Sequence, residues 1–156
     1  MAISQRLAEL DIVLPPVPAP VAAYAPAVIS GNLVKTSGQL PIQDGEILLV
    51  GKCGTMAVTD ELAYAAARIC ALNALSAAAN AVGGVDRLVR AVKVTGFVAS
   101  TEDYYAQPAV INGASDLLQG IFGSRHARSA VGVVALPLNA TVEVEVEFEF
   151  VPADAA

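Results

Sequence analysis

The chain has 156 residues, of which 55% are hydrophobic and only 15% charged, and its mean hydropathy is +0.58. That length suits one domain with a genuine core, and the composition is too apolar for disorder and suggests surface buried in an oligomer. Nine basic against fifteen acidic residues leave a net charge of −6, which repels phosphate backbones, so no nucleic-acid partner is expected.

Residues 3–11, ISQRLAELD, fit a short amphipathic helix with Ile3, Leu7 and Leu10 on one side. Its acids argue against a signal peptide. LPPVPAP at 14–20 must be extended, because proline blocks helix both at its own position and before it. Residues 1–21 therefore form an N-terminal arm, 22–151 a single domain, and 152–156 a tail. AAYAPAVIS (22–30) and LVKTSG (33–38) read as strands joined at Gly31-Asn32. Asp44-Gly45 supplies a second hairpin turn into EILLV (46–50).

Thr59 is a good helix N-cap, with Asp60 and Glu61 placed to complement the helix dipole and Gly83-Gly84 to end the helix. Within it Ala63, Ala66, Ala67, Cys70, Ala74, Ala77, Ala78 and Ala81 share one face, small enough to approach a sheet closely. Leu72, Leu75 and Arg68 fall on the opposite side. The segment is apolar enough to resemble a membrane span, but Arg68, Asn73, Ser76 and Asn80 interrupt it, and no membrane partner is expected.

DRLVRAVKVTGFVAS (86–100) is a valine-rich strand, and a second helix follows over about 103–122, ending at Gly123. SAVGVVAL (129–136) and VEVEVEFEF (142–150) read as two closing strands joined at Pro137-Leu138-Asn139, a hairpin that would set Arg128 beside Glu143. The order is arm, β-β-β, α, β, α, β-β. This is an α+β fold with six strands, and two helices can cover only one face of such a sheet. The other face must meet a partner or water.

Cys53 and Cys70 lie far apart with no CxxC, and with one histidine they cannot supply a four-ligand zinc site without carboxylates. They read as free buried thiols in a reducing cytosol, so the expected location is cytoplasmic and no metal or cofactor is expected. No P-loop, GxSxG or GxGxxG opening a helix occurs. His126, between Arg125 and Arg128 in FGSRHA, reads as a solvated loop residue. Arg128 is more informative: guanidinium is the preferred bidentate partner of a carboxylate, either a strand glutamate or a ligand.

VEVEVEFEF itself alternates without a break. Val142, Val144, Val146, Phe148 and Phe150 point one way and four glutamates the other. Same-face neighbours sit about 6.6 Å apart, where two carboxylates repel by roughly 2.5 kcal/mol at an effective dielectric of 20. Cross-strand cations such as Lys93 and Arg128 would offset this.

TSGQLP (36–41), VTGFVAS (94–100), ARSAVGV (127–133) with LP (136–137), and VEVE (142–145) resemble, in order and spacing, the blocks of the RidA/YjgF family, also called the endoribonuclease L-PSP or chorismate-mutase-like superfamily. The LPPVPAP arm, QPAVINGASDLL (107–118) and FGSRHARSAVGV (122–133) look like one subgroup of it. The resemblance implies a six-stranded mixed sheet with two helices on one face, assembled as a homotrimer whose sheets form a central barrel with ligand clefts between subunits. It implies a small carboxylate-bearing metabolite as ligand and, in the deaminase branch, hydrolysis of 2-imino or enamine acids to 2-keto acids and ammonia. A non-deaminating metabolite-binding protein is the alternative, and an endoribonuclease or translation inhibitor a weaker one.

Carried over by motif, Arg128 clamps the substrate carboxylate and Glu143 orients the attacking water. Tyr24, Ser37, Gly38, Asn112 and the backbone around Ala130 line the pocket. Ala130 stands where the deaminase branch often has cysteine, and Tyr24 and Ser37 read equally well as ordinary strand residues with satisfied hydroxyls. Glu143 then separates from Glu145, Glu147 and Glu149, which read as solvated or ion-paired lining.

Overall fold

The computed structural model describes residues 1–17 and 23–153. The second half of LPPVPAP therefore lies outside the described residues, and 14–17 form no regular element.

The N-terminal helix α1 (Ile3–Glu9) buries Leu7 and lays Ile3 against the core, while Leu10 is left at its exposed end. It is tied down at two points. Asp86 accepts hydrogen bonds from the Ser4 amide and hydroxyl at 2.7 and 2.8 Å, and Arg6 Nε donates to the Gly120 carbonyl at 3.0 Å. The Ser4 bonds hold the Asp86 carboxyl below its usual range.

Next come β1 (Ala27–Ser30) and β2 (Leu33–Thr36), an antiparallel pair turning at Gly31-Asn32. Asp44 and Gly45 both take positive φ, 53° and 82°, the conformation of a tight hairpin turn. That turn joins only β3 (Ile42–Gln43) to β4 (Glu46–Ile47), a two-stranded ribbon apart from the main sheet. The continuous strand expected over 46–50 is corrected: only Glu46–Ile47 pairs with β3, and the chain then makes a single antiparallel bridge from Val50 to Ala140, with Leu48 and Val50 half exposed.

Helix α2 (Asp60–Val82) starts and stops where the sequence places it. Thr59 Oγ1 accepts from the Leu62 amide at 3.2 Å, and Gly83 closes the helix in the left-handed conformation. By length and composition α2 could cross a membrane, but 67% of its apolar window is buried inside the domain, so it is the core helix. Its alanine face is buried against the sheet. Leu72 and Leu75, expected opposite, are buried too, because α3 (Gln107–Phe122) and the arm cover that side. The helices meet at Gly113, where a Cβ would collide with the Tyr64 carbonyl oxygen.

The main sheet has five strands in the order β1-β2-β7-β5-β6, with β5 (Leu88–Ala99), β6 (Ala127–Val133) and β7 (Val142–Phe150). It is mixed: β6 runs parallel to β5, and every other pairing is antiparallel. Two corrections follow. The sheet has five strands, not six, and β6 and β7 form no hairpin because β5 lies between them. The 3₁₀ turn at Pro137–Asn139 belongs to a connection that passes across the end of β5.

Valines and phenylalanines of β7 are all buried against the helices, as the alternation requires. Phe148 is fully buried and stacks at a tilt on Phe122, ring centres 5.8 Å apart. On the other face, Lys35 meets Glu147 at 3.4 Å and Arg90 meets Glu149 at 2.7 Å. Lys93 pairs in register with Glu147 but points its ammonium at Ser129 Oγ, 3.4 Å away. The four glutamates therefore divide: Glu147 and Glu149 have cations, and Glu143 and Glu145 have no ion-pair partner among the described residues.

Candidate functional site

The sequence-selected residues fall into two groups on opposite faces of the sheet. Glu143 projects from the face away from the helices, opposite Phe97 of β5. Just past β2, Gln39 bonds both ways with Val144, by N–H to carbonyl contacts of 2.8 and 3.0 Å, which pins Gly38 beside β7. The Glu143 carboxylate lies directly over Gly38, so that a Cβ there would overlap Oε1. Only glycine leaves that space. Ser37 donates its hydroxyl to the Ala25 carbonyl at 2.7 Å and its amide to Pro26 at 2.8 Å. Its side chain is thus satisfied by the backbone, and its contribution is to hold the 37–38 peptide beneath the carboxylate.

Partial burial raises the Glu143 pKa, and Glu145 on the same face raises it further. A carboxyl whose neutral form is favoured in this way is better suited to take up and return a proton than a fully solvated one. Tyr24 lies just before β1 and is 59% exposed.

The second group sits on the helix side. Arg128 pairs in register with Val94, a buried helix-facing residue of β5, and so points toward α3. Its Nη1 donates to Asn112 Oδ1 at 2.7 Å and to Ser115 Oγ at 3.2 Å. Ala130, two residues on, shares that face beside Gly96 and packs on the core. Arg128 therefore neutralises no strand glutamate, and the cross-strand role expected for it is corrected: the pleat sends the two side chains to opposite faces.

Two further residues belong to this group. Ser115 Oγ lies 3.0 Å from His126 Nε2. His126 is half-buried rather than solvated, its Nδ1 is buried with no partner, and burial together with the Arg128 charge lowers its pKa. The only signal for Ser115 was its place one turn after Asn112, on the same helix face. The polar neighbours of His126 predict a solvated ring, whereas α3, which ends at Phe122 just before it, folds back so that Ser115 meets the imidazole. Both cysteines are free and buried, with thiols pushed up by burial. Among the described residues no cluster of three or more His, Cys, Asp or Glu is arranged to hold a metal ion.

Residues 4–150 match the model of the family described as "YjgF/chorismate mutase-like, putative endoribonuclease". The chain belongs to this family. It is 42% identical to Protein TCP17 of Trypanosoma cruzi over 92% of this chain and 91% of that protein. It is 33% identical to a 2-iminobutanoate/2-iminopropanoate deaminase of Dermatophagoides farinae, covering 84% and 88%. Among solved structures of the YjgF fold, the Agrobacterium tumefaciens protein Atu1372 is 42% identical with a TM-score of 0.87, covering 96% of this chain and 92% of that one. The E. coli protein TdcF, solved with bound serine, is 25% identical with a TM-score of 0.62, covering 86% and 94%.

Proposed function

We propose that this YjgF-family chain hydrolyses reactive 2-imino or enamine acids to 2-keto acids and ammonia, in a site that two copies of the chain complete. The observation that carries the reading is the split. Arg128 and Glu143 are two strands apart laterally and three residues apart along β5, so their Cα atoms are separated by roughly 14 Å. They also face opposite ways. No small acid reaches both within one chain.

A second copy set against the open face would bring the Arg128 edge of one sheet to the Glu143 face of the next. The open face suits such packing: Val131 lies on it, 44% exposed, beside the half-buried Phe97, and Val28, 56% exposed, lies on the strand at its far edge. A homotrimer with three such clefts satisfies the geometry with one repeated interface.

In that cleft the guanidinium holds the substrate carboxylate. Water adds across the C=N bond, its oxygen bonding to carbon while a proton reaches nitrogen. Glu143, with its raised pKa, passes that proton from water to nitrogen, then takes the proton of the new hydroxyl group and delivers it to the departing nitrogen. The C–N bond then breaks, releasing ammonia and leaving the ketone. An imine is already electrophilic, so positioning and one proton shuttle suffice. The names of the mite deaminase and of the serine-bound TdcF support a small amino-acid-like ligand.

Ala130, where the deaminase branch often has cysteine, leaves a second reading: the same cleft binds a carboxylate metabolite without turnover. Ribonuclease action fits poorly with a net charge of −6 and a face carrying four glutamates. The test is ammonia release from 2-iminobutanoate generated in situ. Hydrolysis by the native protein, lost in a folded Arg128→Ala variant, supports the hydrolase. Absence of hydrolysis with thermal stabilisation by 2-ketobutyrate supports the binding protein.

A further inference from the structure

Behind Arg128 stand two side chains to which the hydrolytic scheme gives no task. A guanidinium has donors only. Both hydrogens of Arg128 Nη1 are spent on Asn112 Oδ1 and Ser115 Oγ. Among the described residues Nε and Nη2 have no hydrogen-bond partner, and these two atoms present parallel N–H groups, the edge that meets a carboxylate in bidentate fashion. Nη1 is thus a tether and the Nε–Nη2 edge is what it aims.

We propose that Ser115 and His126 are positioning residues that fix which edge of the Arg128 guanidinium is presented to a ligand carboxylate. The chemistry follows from donor counting. Ser115 Oγ accepts from Arg128, so its own proton needs an acceptor, and His126 Nε2 lies 3.0 Å away. Donation to the imidazole makes the serine oxygen a better acceptor for the guanidinium, since chained hydrogen bonds polarise one another. The scheme requires a neutral ring with its proton on Nδ1. Burial and the adjacent cation both favour that neutral ring. It leaves the Nδ1–H buried without an acceptor, a cost of the kind tolerated where the other nitrogen is needed. Asn112 alone would leave the guanidinium free to swing about one bond. With the Ser115 contact it is held at two.

The proposal rests on Arg128 being the carboxylate clamp, and its test separates the two ideas. His126 is the only histidine in the chain, so its imidazole gives one unambiguous set of NMR signals. In the native protein the ring nitrogens should show the Nδ1–H tautomer, and adding 2-ketobutyrate should shift them. In Arg128→Met the imidazole pKa should rise and the ligand-induced shift vanish. Ser115→Ala and His126→Ala should each raise KM for 2-iminobutanoate about ten-fold, the effect of losing one hydrogen bond to a charged group, with kcat nearly unchanged. His126→Gln, whose amide oxygen can accept from Ser115, should recover most of that loss. An imidazole insensitive to Arg128→Met, an Nε2–H tautomer, or an unchanged KM in both alanine variants would overturn the proposal. Absence of imine turnover in the native protein would count against the hydrolase reading alone, and the imidazole measurements would still decide the positioning role.

Discussion

Arg128 and Glu143 project from opposite faces of one sheet, with β5 between their strands. Each is embedded in its own small constellation. Arg128 is tethered by Asn112 and Ser115 of α3, and Glu143 lies over Gly38 at the end of β2. Neither constellation by itself can both hold a carboxylate and direct a water, which is why the proposed hydrolysis calls for two copies of the chain.

The contact between Gly38 and Glu143 predicts a separation of activity from stability. In Gly38→Ala the new methyl group meets the far end of a flexible side chain, which can swing aside. Folding stability, measured by denaturant titration, should change by no more than about 1 kcal/mol, below the usual range for overpacking a rigid site. Imine hydrolysis should nevertheless fall strongly, because the displaced carboxylate no longer faces the cleft. Full activity in Gly38→Ala would show that Glu143 need not stay where the glycine lets it lie.

Two glycines of α3 should respond in opposite ways to the same change. At Gly113 an added Cβ meets the backbone of α2, which cannot move without separating the helices. Gly113→Ala should therefore lose about 2–3 kcal/mol of unfolding free energy. Gly120 has open space around its Cβ position, so Gly120→Ala should gain about 0.5–1 kcal/mol from helix propensity alone. Chemical denaturation of the pair checks both signs in one experiment.

Glu143 should cost stability at neutral pH. Its folded pKa lies above the ordinary value of 4.5, owing to burial and then Glu145, so the folded state holds the proton more tightly than the unfolded chain. The cost is absent below the unfolded pKa and complete once pH exceeds the raised folded value. Glu143→Gln should therefore be more stable than the native protein at pH 7, with the advantage disappearing as pH falls below 4.5. Thermal melts of both proteins across that range give the sign directly. The same variant should be inactive in imine hydrolysis.

His126 makes the opposite contribution. Its folded pKa is held below the usual 6.5 by burial and by Arg128, so the unfolded chain binds the proton more readily. Stability from this group is present above 6.5 and is lost as pH falls through the folded value. His126→Gln should remove that portion of the acid sensitivity. A pH–stability curve in His126→Gln that tracks the native curve between pH 7 and 5 would contradict it.

Local signals carried much of this fold. The unbroken alternation of 142–150 specified a two-faced strand, and Thr59 and Gly83 marked the ends of α2. Both depend on neighbours within a few residues. What could not be read was pairing at a distance. Pro137-Leu138-Asn139 has the composition of a hairpin turn, yet it lies in a connection across β5, because the parallel β5–β6 pairing leaves β7 only the other edge of β5. That misplacement put Arg128 beside Glu143. His126 reads as solvated from its charged neighbours alone, and the turn at Gly123 that folds α3 back over it is what the local pattern does not show. The motif resemblance named Arg128, Glu143, Gly38 and Asn112, and the fold groups Gly38 with Glu143 and Asn112 with Arg128.

The central claim is that each site draws Arg128 from one copy and Glu143 from another, and subunit mixing tests it most directly. Arg128→Ala and Glu143→Gln should each be inactive as pure proteins. When they are unfolded together and refolded as an equal mixture, about a quarter of interfaces should combine an intact Arg128 with an intact Glu143, if copies associate at random around a closed ring. The account predicts recovery of imine hydrolysis to about that fraction of the native rate. A mixture that assembles fully yet stays as inactive as its components would contradict it.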